Sequence, residues 1–104
     1  AYACDASQPD AVARLFETVD GELGTPAMVV YNASARVRGP VTDIDPARVQ
    51  EALAVTAYGG FLVAQAAARR MTAAGRGSIL LTGASASVKG YAQSASFAMG
   101  KFAL

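Results

Sequence analysis

Apolar positions along this chain keep two rhythms. Val12, Leu15, Phe16, Val19 and Leu23 recur at helical spacing and form one apolar face. Ahead of them Ser7 is the candidate N-cap, with Asp10 completing a variant capping box. Gly24 marks the stop and Pro26 ends the connection. Ala27 to Tyr31 is a continuous apolar run, short enough for a strand covered on both faces. After a loop from Asn32 to Pro40, Asp45 caps a helix with Pro46 at its first position. That helix runs to about Met71. Its interior Gly59–Gly60 pair costs roughly 1 kcal/mol per glycine against alanine, which predicts that another backbone comes close there. Gly75-Arg76-Gly77 ends the helix, Ser78 to Thr82 is the next buried strand, and a last helix begins near Ser96. Ala1 to Asp5 reads as the end of a strand preceding them all.

Apolar strands alternating with amphipathic helices predict an α/β fold, a doubly wound parallel sheet with right-handed crossovers. In such sheets ligands bind beyond the carboxyl ends of the strands, here Asp5, Tyr31-Asn32-Ala33 and Thr82-Gly83-Ala84. Both chain ends fall inside predicted elements, so residues 1–104 read as the middle of a larger domain.

Composition narrows the classes. One domain is the natural count for 104 residues, and 53% hydrophobic content, much of it alanine, argues for closely packed helices and against disorder. The net charge of +1 gives no electrostatic case for nucleic acid or an anionic membrane. Cys4 is the only cysteine and histidine is absent, which excludes an internal disulfide and removes the commonest metal ligand; no metal site is expected. No apolar run is expected to match a membrane span and no signal peptide is recognised, so a cytoplasmic protein is the default.

The stretch Gly77-Ser-Ile-Leu-Leu-Thr-Gly-Ala-Ser-Ala-Ser-Val-Lys-Gly-Tyr91, followed by Phe97-Ala-Met-Gly-Lys101, resembles the active-site segment of the short-chain dehydrogenase/reductase family. Three further segments fit the same pattern, so that the resemblance covers essentially the whole chain. Asp5 is similar to the acid after the third strand, which implies a hydrogen bond from the adenine amino group. Tyr31-Asn32-Ala33-Ser34 resembles Asn-Asn-Ala-Gly after the fourth strand, which implies that Asn32 ties strand ends while Ala33 and Ser34 approach the cofactor. Val55-Thr56-Ala57-Tyr58-Gly59-Gly60-Phe61 resembles the helix that carries an Asn holding a proton-relay water, and Thr56 stands at that Asn. A helix-packing threonine is the competing reading.

The catalytic tetrad Asn, Ser, Tyr, Lys is thus implied at Thr56, Ala84 (or Ser85 with a one-residue shift), Phe97 and Lys101. Only the lysine is retained, which implies a divergent subgroup with Phe at the tyrosine position. Phe97 and Lys101 share one helix face. The resemblance implies NAD or NADP as cofactor, contacts from Asp5, Asn32, Ala33, Ser34, Thr82 and Lys101, and a small carbonyl or alcohol substrate. It further implies a partial Rossmann-type domain whose glycine-rich loop and substrate region lie outside the chain, and a homo-oligomer built through the two long helices.

Two functions follow. One is a nicotinamide-dependent oxidoreductase with reduced or altered catalysis, in which Ser85, Tyr91 or a water held by Lys101 replaces the missing phenol. The other is a non-catalytic dinucleotide-binding sensor or assembly subunit, which Phe97 and Ala84 favour.

Overall fold

The computed structural model describes residues 1–104. Helix α1 (Pro9–Leu23) leads into strand β1 (Met28–Tyr31). A continuous helix follows as α2 (Pro46–Leu53), a π turn (Ala54–Tyr58) and α3 (Gly59–Ala74). Strand β2 (Ser78–Leu81), a short 3-10 turn (Ser85–Ser87) and helix α4 (Ala95–Ala103) complete the order. The strands pair in parallel with Val29 opposite Ile79 and Tyr31 opposite Leu81. This is the α/β pattern with a parallel sheet and helical crossovers.

Helices α1 and α3 pack on one another, and α3 covers both strands. Val12, Phe16, Tyr31, Val63, Ala67 and Met71 form the core, with Val29 and Ile79 against it. The opposite sheet face is open: Met28, Val30 and Leu80 are exposed. The expectation of strands covered on both faces is therefore met on one face only, because no element of residues 1–104 packs on the other. Ala1 to Asp5 forms no strand, since no neighbouring strand offers it a ladder. Helix α1 starts one residue beyond the expected cap, with Gln8 at the N-cap and Pro9 following it. The Ser7 hydroxyl is turned back onto Asp5 instead.

Asp45 caps α2 as expected, its carboxylate accepting from the Ala47 N–H at 2.9 Å. The long helix ends three residues past Met71, at Ala74, with Gly75 left-handed at φ +68°. An 18-residue window within Pro46–Ala74 reaches a mean hydropathy of 1.2, so the helix is long and apolar enough there to match a membrane span, contrary to the sequence expectation. Much of that apolarity is alanine, and Val63, Ala67 and Met71 are buried in the core, so packing in this fold accounts for one face.

The π turn has a local cause. In the wider turn the Gly59 N–H reaches Ala54 O and passes Val55 O by. The Tyr31 hydroxyl, coming from the end of β1, donates to Val55 O. Gly59 leaves room for this: a Cβ there would lie 2.8 Å from Ala6 O and would also strike the Tyr31 hydroxyl. Gly60 likewise faces the Tyr31 ring. The glycine pair thus serves close approach, by a tyrosine side chain as well as by backbone.

Candidate functional site

The carboxyl ends of β1 and β2 lie side by side, joined by the Thr82 N–H donating to Tyr31 O at 2.9 Å. This main-chain bond makes the tie that the sequence assigned to Asn32. The Asn32 side chain forms no hydrogen bond, and it is exposed together with Ala33 and Ser34. Small exposed residues on one strand end leave the backbone open to a ligand.

Helix α4 brings Lys101 to the same edge. Its ammonium donates to Thr82 O at 2.5 Å and lies 5.9 Å from the centre of the Phe97 ring. Lys101 is 5% exposed and has no carboxylate within ion-pair distance, since Arg70–Asp20 is the one ion pair in the molecule. A buried cation is costly unless polar groups or a ligand satisfy it. Phe97 is half-buried beside it, and its hydrocarbon ring neither gives nor takes a proton.

The remaining expected residues are dispersed. Ala84 is half-buried, with its N–H donating to the Ser87 hydroxyl oxygen at 3.1 Å. Ser85 is exposed and its hydroxyl is unbonded, so the rescue by a one-residue shift has no hydrogen bond to support it. Tyr91 is exposed in the turn before α4, its ring 5.1 Å from the Lys89 ammonium. Asp5 accepts from the Ser7 hydroxyl at 2.7 Å and the Ser7 N–H at 3.0 Å. Those two bonds, the hydroxyl first, lower its carboxyl pKa.

Thr56 does not face the strand ends with a free hydroxyl. Its Oγ1 accepts from the Ala35 N–H at 3.0 Å and approaches Ala35 O at 3.5 Å. Helix α4 packs directly on it, for a Cβ on Gly100 would come within 2.9 Å of Thr56. The hydroxyl is thus engaged with the loop after β1.

That loop contains what the sequence did not single out. Arg36 Nη2 donates to the Ser94 hydroxyl oxygen at 2.5 Å, and its guanidinium carbon lies 5.0 Å from the Phe97 ring centre. The Val37 N–H donates to Ser96 Oγ, and the Ser96 hydroxyl donates back to Val37 O, both at 3.1 Å. The only visible hint was an arginine in a loop of small residues and two serines just ahead of Phe97. Nothing in one sequence pairs positions 58 and 59 residues apart.

Lys101, Thr82 and the exposed Asn32-to-Ser34 segment thus border one edge, and Asp5 is also exposed. A hollow of about 440 Å³ lies beside β1, lined by Cys4, Ala6, Phe16, Val29, Asn32 and Ala33. It is apolar and does not include Lys101 or Phe97.

Comparison with known proteins identifies the family and the fold. The family model described as enoyl-(acyl carrier protein) reductase matches residues 1–104. A metagenomic short-chain oxidoreductase solved with NADP superposes at TM-score 0.92 with 31% identity, over 99% of this chain and 47% of its own. An NAD+-bound xylitol dehydrogenase gives 0.93 and 28%, over 98% and 40% respectively. Gluconate 5-dehydrogenase from Burkholderia cenocepacia J2315, in complex with NADP and tartrate, gives 0.90 and 28%, over 95% and 39%. The chain therefore spans less than half the length of these relatives. Among curated proteins none matches it.

Proposed function

Since the chain belongs to the short-chain dehydrogenase/reductase family, we propose that the protein is an NAD(P)-dependent oxidoreductase with a degenerate catalytic tetrad. Its reaction is hydride transfer between nicotinamide and a carbonyl or alcohol substrate. The observation that carries this reading is Lys101: a buried, carboxylate-free ammonium held at the end of β2 by Thr82 O. Such a cation is kept where a ligand's hydroxyls will meet it.

When bound, the nicotinamide would supply hydride to a carbonyl or accept it from an alcohol. Lys101, Thr82, Asn32, Ala33 and Ser34 would hold the cofactor, and Asp5 would accept from the adenine amino group. Phe97 carries no exchangeable proton, so proton delivery is left to solvent. Thr56 acts as a brace for the loop after β1 and not as a holder of a relay water. Losing a positioned general acid costs typically about 10²–10⁴-fold, so the proposed enzyme is slow on substrates that need a strong proton donor.

The same proposal includes a homo-oligomer. Tyr58, Phe61, Met99 and Phe102 stand exposed on the long helix and α4, which supports contact with a second copy through those helices. The proposal takes the protein to be cytoplasmic, and the near-neutral charge supports small-molecule partners in place of nucleic acid or an anionic membrane.

A non-catalytic dinucleotide-binding role is the second reading, favoured by Phe97 and Ala84 at the positions of two catalytic groups. Cofactor fluorescence of NADH and NADPH with the full-length gene product tests both. Binding is expected, weakened about tenfold or more by Lys101→Ala. A folded protein that binds neither cofactor would sink both readings. Phe97→Tyr then separates them: carbonyl reduction should rise by about tenfold or more if the phenol is the missing acid. No turnover in either form leaves the sensor.

A further inference from the structure

Three side chains in this molecule that are 2% exposed or less carry hydroxyls, Thr56, Ser94 and Ser96. They come from two different helical segments and hold three consecutive residues. Thr56 takes the Ala35 backbone, Ser94 takes the Arg36 side chain, and Ser96 takes both backbone groups of Val37. A buried hydroxyl is costly unless it is bonded, so this concentration on one tripeptide fixes it strongly. Arg36 is the residue so fixed: clamped on both sides along the chain, bonded at Nη2, and laid against Phe97.

Arg36 is an exposed residue, and its guanidinium has no carboxylate within ion-pair distance. Of its five N–H donors, one is used by the protein. Its planar fork matches a carboxylate through paired, charge-assisted hydrogen bonds. A guanidinium does not release its proton near neutral pH, so it cannot stand in for the phenol.

We propose that Arg36 sets substrate specificity by holding a carboxylate on the substrate, next to the carbonyl or alcohol carbon that reacts beside Phe97. This rests on the oxidoreductase reading. Ser94 is the positioning residue that aims the fork.

The test uses full-length protein saturated with whichever nicotinamide dinucleotide it binds. Oxalate, inorganic phosphate and neutral oxamide are titrated by calorimetry into wild type, Arg36→Gln, Arg36→Lys and Ser94→Ala. Oxalate should bind wild type, roughly tenfold or more weakly in Arg36→Gln, and intermediately in Arg36→Lys and Ser94→Ala. Oxamide should bind wild type and Arg36→Gln alike, and dinucleotide affinity should not change. Thermal melting checks that Arg36→Gln is folded; if it is not, the lysine variant decides. Oxalate that fails to bind the loaded wild type, or binds Arg36→Gln equally, overturns the assignment. Phosphate preferred over oxalate overturns the carboxylate choice. If no dinucleotide binds at all, the oxidoreductase reading fails first and separately.

Discussion

The loops leaving the carboxyl ends of β1 and β2 border the same edge, yet they are held by different means. The first is anchored at Ala35, Arg36 and Val37 by three buried hydroxyls, and the Gly39 N–H donates to Gln93 O at 3.4 Å. The second has Lys101 on Thr82 O, Ser87 on the Ala84 N–H, and local turn bonds from the Ser87 N–H to Ala84 O and from the Val88 and Lys89 N–H groups to Ser85 O, with the Ser85 hydroxyl exposed and unbonded. Long-range anchoring by buried side chains is concentrated in the loop that presents Arg36. It is not concentrated where the family resemblance looks for a serine.

Removing the anchors is the strongest way to break this contrast. Ser96→Ala leaves both the N–H and the C=O of Val37 buried without partners, an expected loss of about 2–3 kcal/mol. Thr56→Val orphans the Ala35 N–H and should cost about 1–2 kcal/mol. Ser85→Ala removes an exposed, unbonded hydroxyl and should stay within about 0.5 kcal/mol. Urea unfolding of the three variants measures all of this. Equal losses in Ser85→Ala and Ser96→Ala would erase the distinction between the loops.

Much of the frame was legible in the sequence. Periodicity located α1, both strands and the long helix, because apolar spacing reports directly on which face is buried. The helix stops at Gly24 and Gly75 were readable from the glycines. The Phe97–Lys101 pair was readable because residues four apart share a helix face. Arg36 was not readable, since its partners Ser94 and Phe97 come from the other end of the chain. Nor was the π turn, which depends on the Tyr31 hydroxyl meeting Val55 O across 24 residues. The missing strand at Ala1–Asp5 shows the converse limit: a strand needs a partner, and a sequence run does not supply one.

Tyr31 sharpens the comparison from beneath, because the π turn it supports is where Thr56 reaches up to Ala35. Tyr31→Phe leaves Val55 O without its donor and should cost about 1–2 kcal/mol at neutral pH. Its pH dependence gives a second signature. Burial first, then the Cys4 and Asp5 charges, raise the Tyr31 phenol above its ordinary value. The folded protein therefore binds this proton more tightly than the unfolded chain. That contribution is fully present below about pH 10 and is lost as pH rises past it. Wild type should lose stability above that pH more steeply than Tyr31→Phe. Tyr2, raised in the same direction by its bond to Glu22, is common to both proteins and cancels in the difference. Parallel alkaline limbs in chemical denaturation would show that Tyr31 does not titrate in coupling with the fold.

Gln93 is the single non-glycine residue with positive φ, at 54°. Its left-handed backbone turns the carbonyl toward Gly39 and so adds a fourth tie between the first loop and the start of α4. A side chain in that conformation costs about 1 kcal/mol, a strain the surrounding bonds must hold. Gln93→Gly relieves it but gives the unfolded chain more freedom, roughly 0.4–1 kcal/mol, so the net change should be close to zero. Gln93→Val cannot escape in that way. A β-branched residue is strained further at this φ, and it should lose about 1–2 kcal/mol. The gap between the two variants in thermal or urea unfolding is therefore the informative quantity, because each alone mixes strain with chain entropy. If valine and glycine are equally stable, the turn relaxes without cost, and the bond to Gly39 is not part of what fixes the first loop.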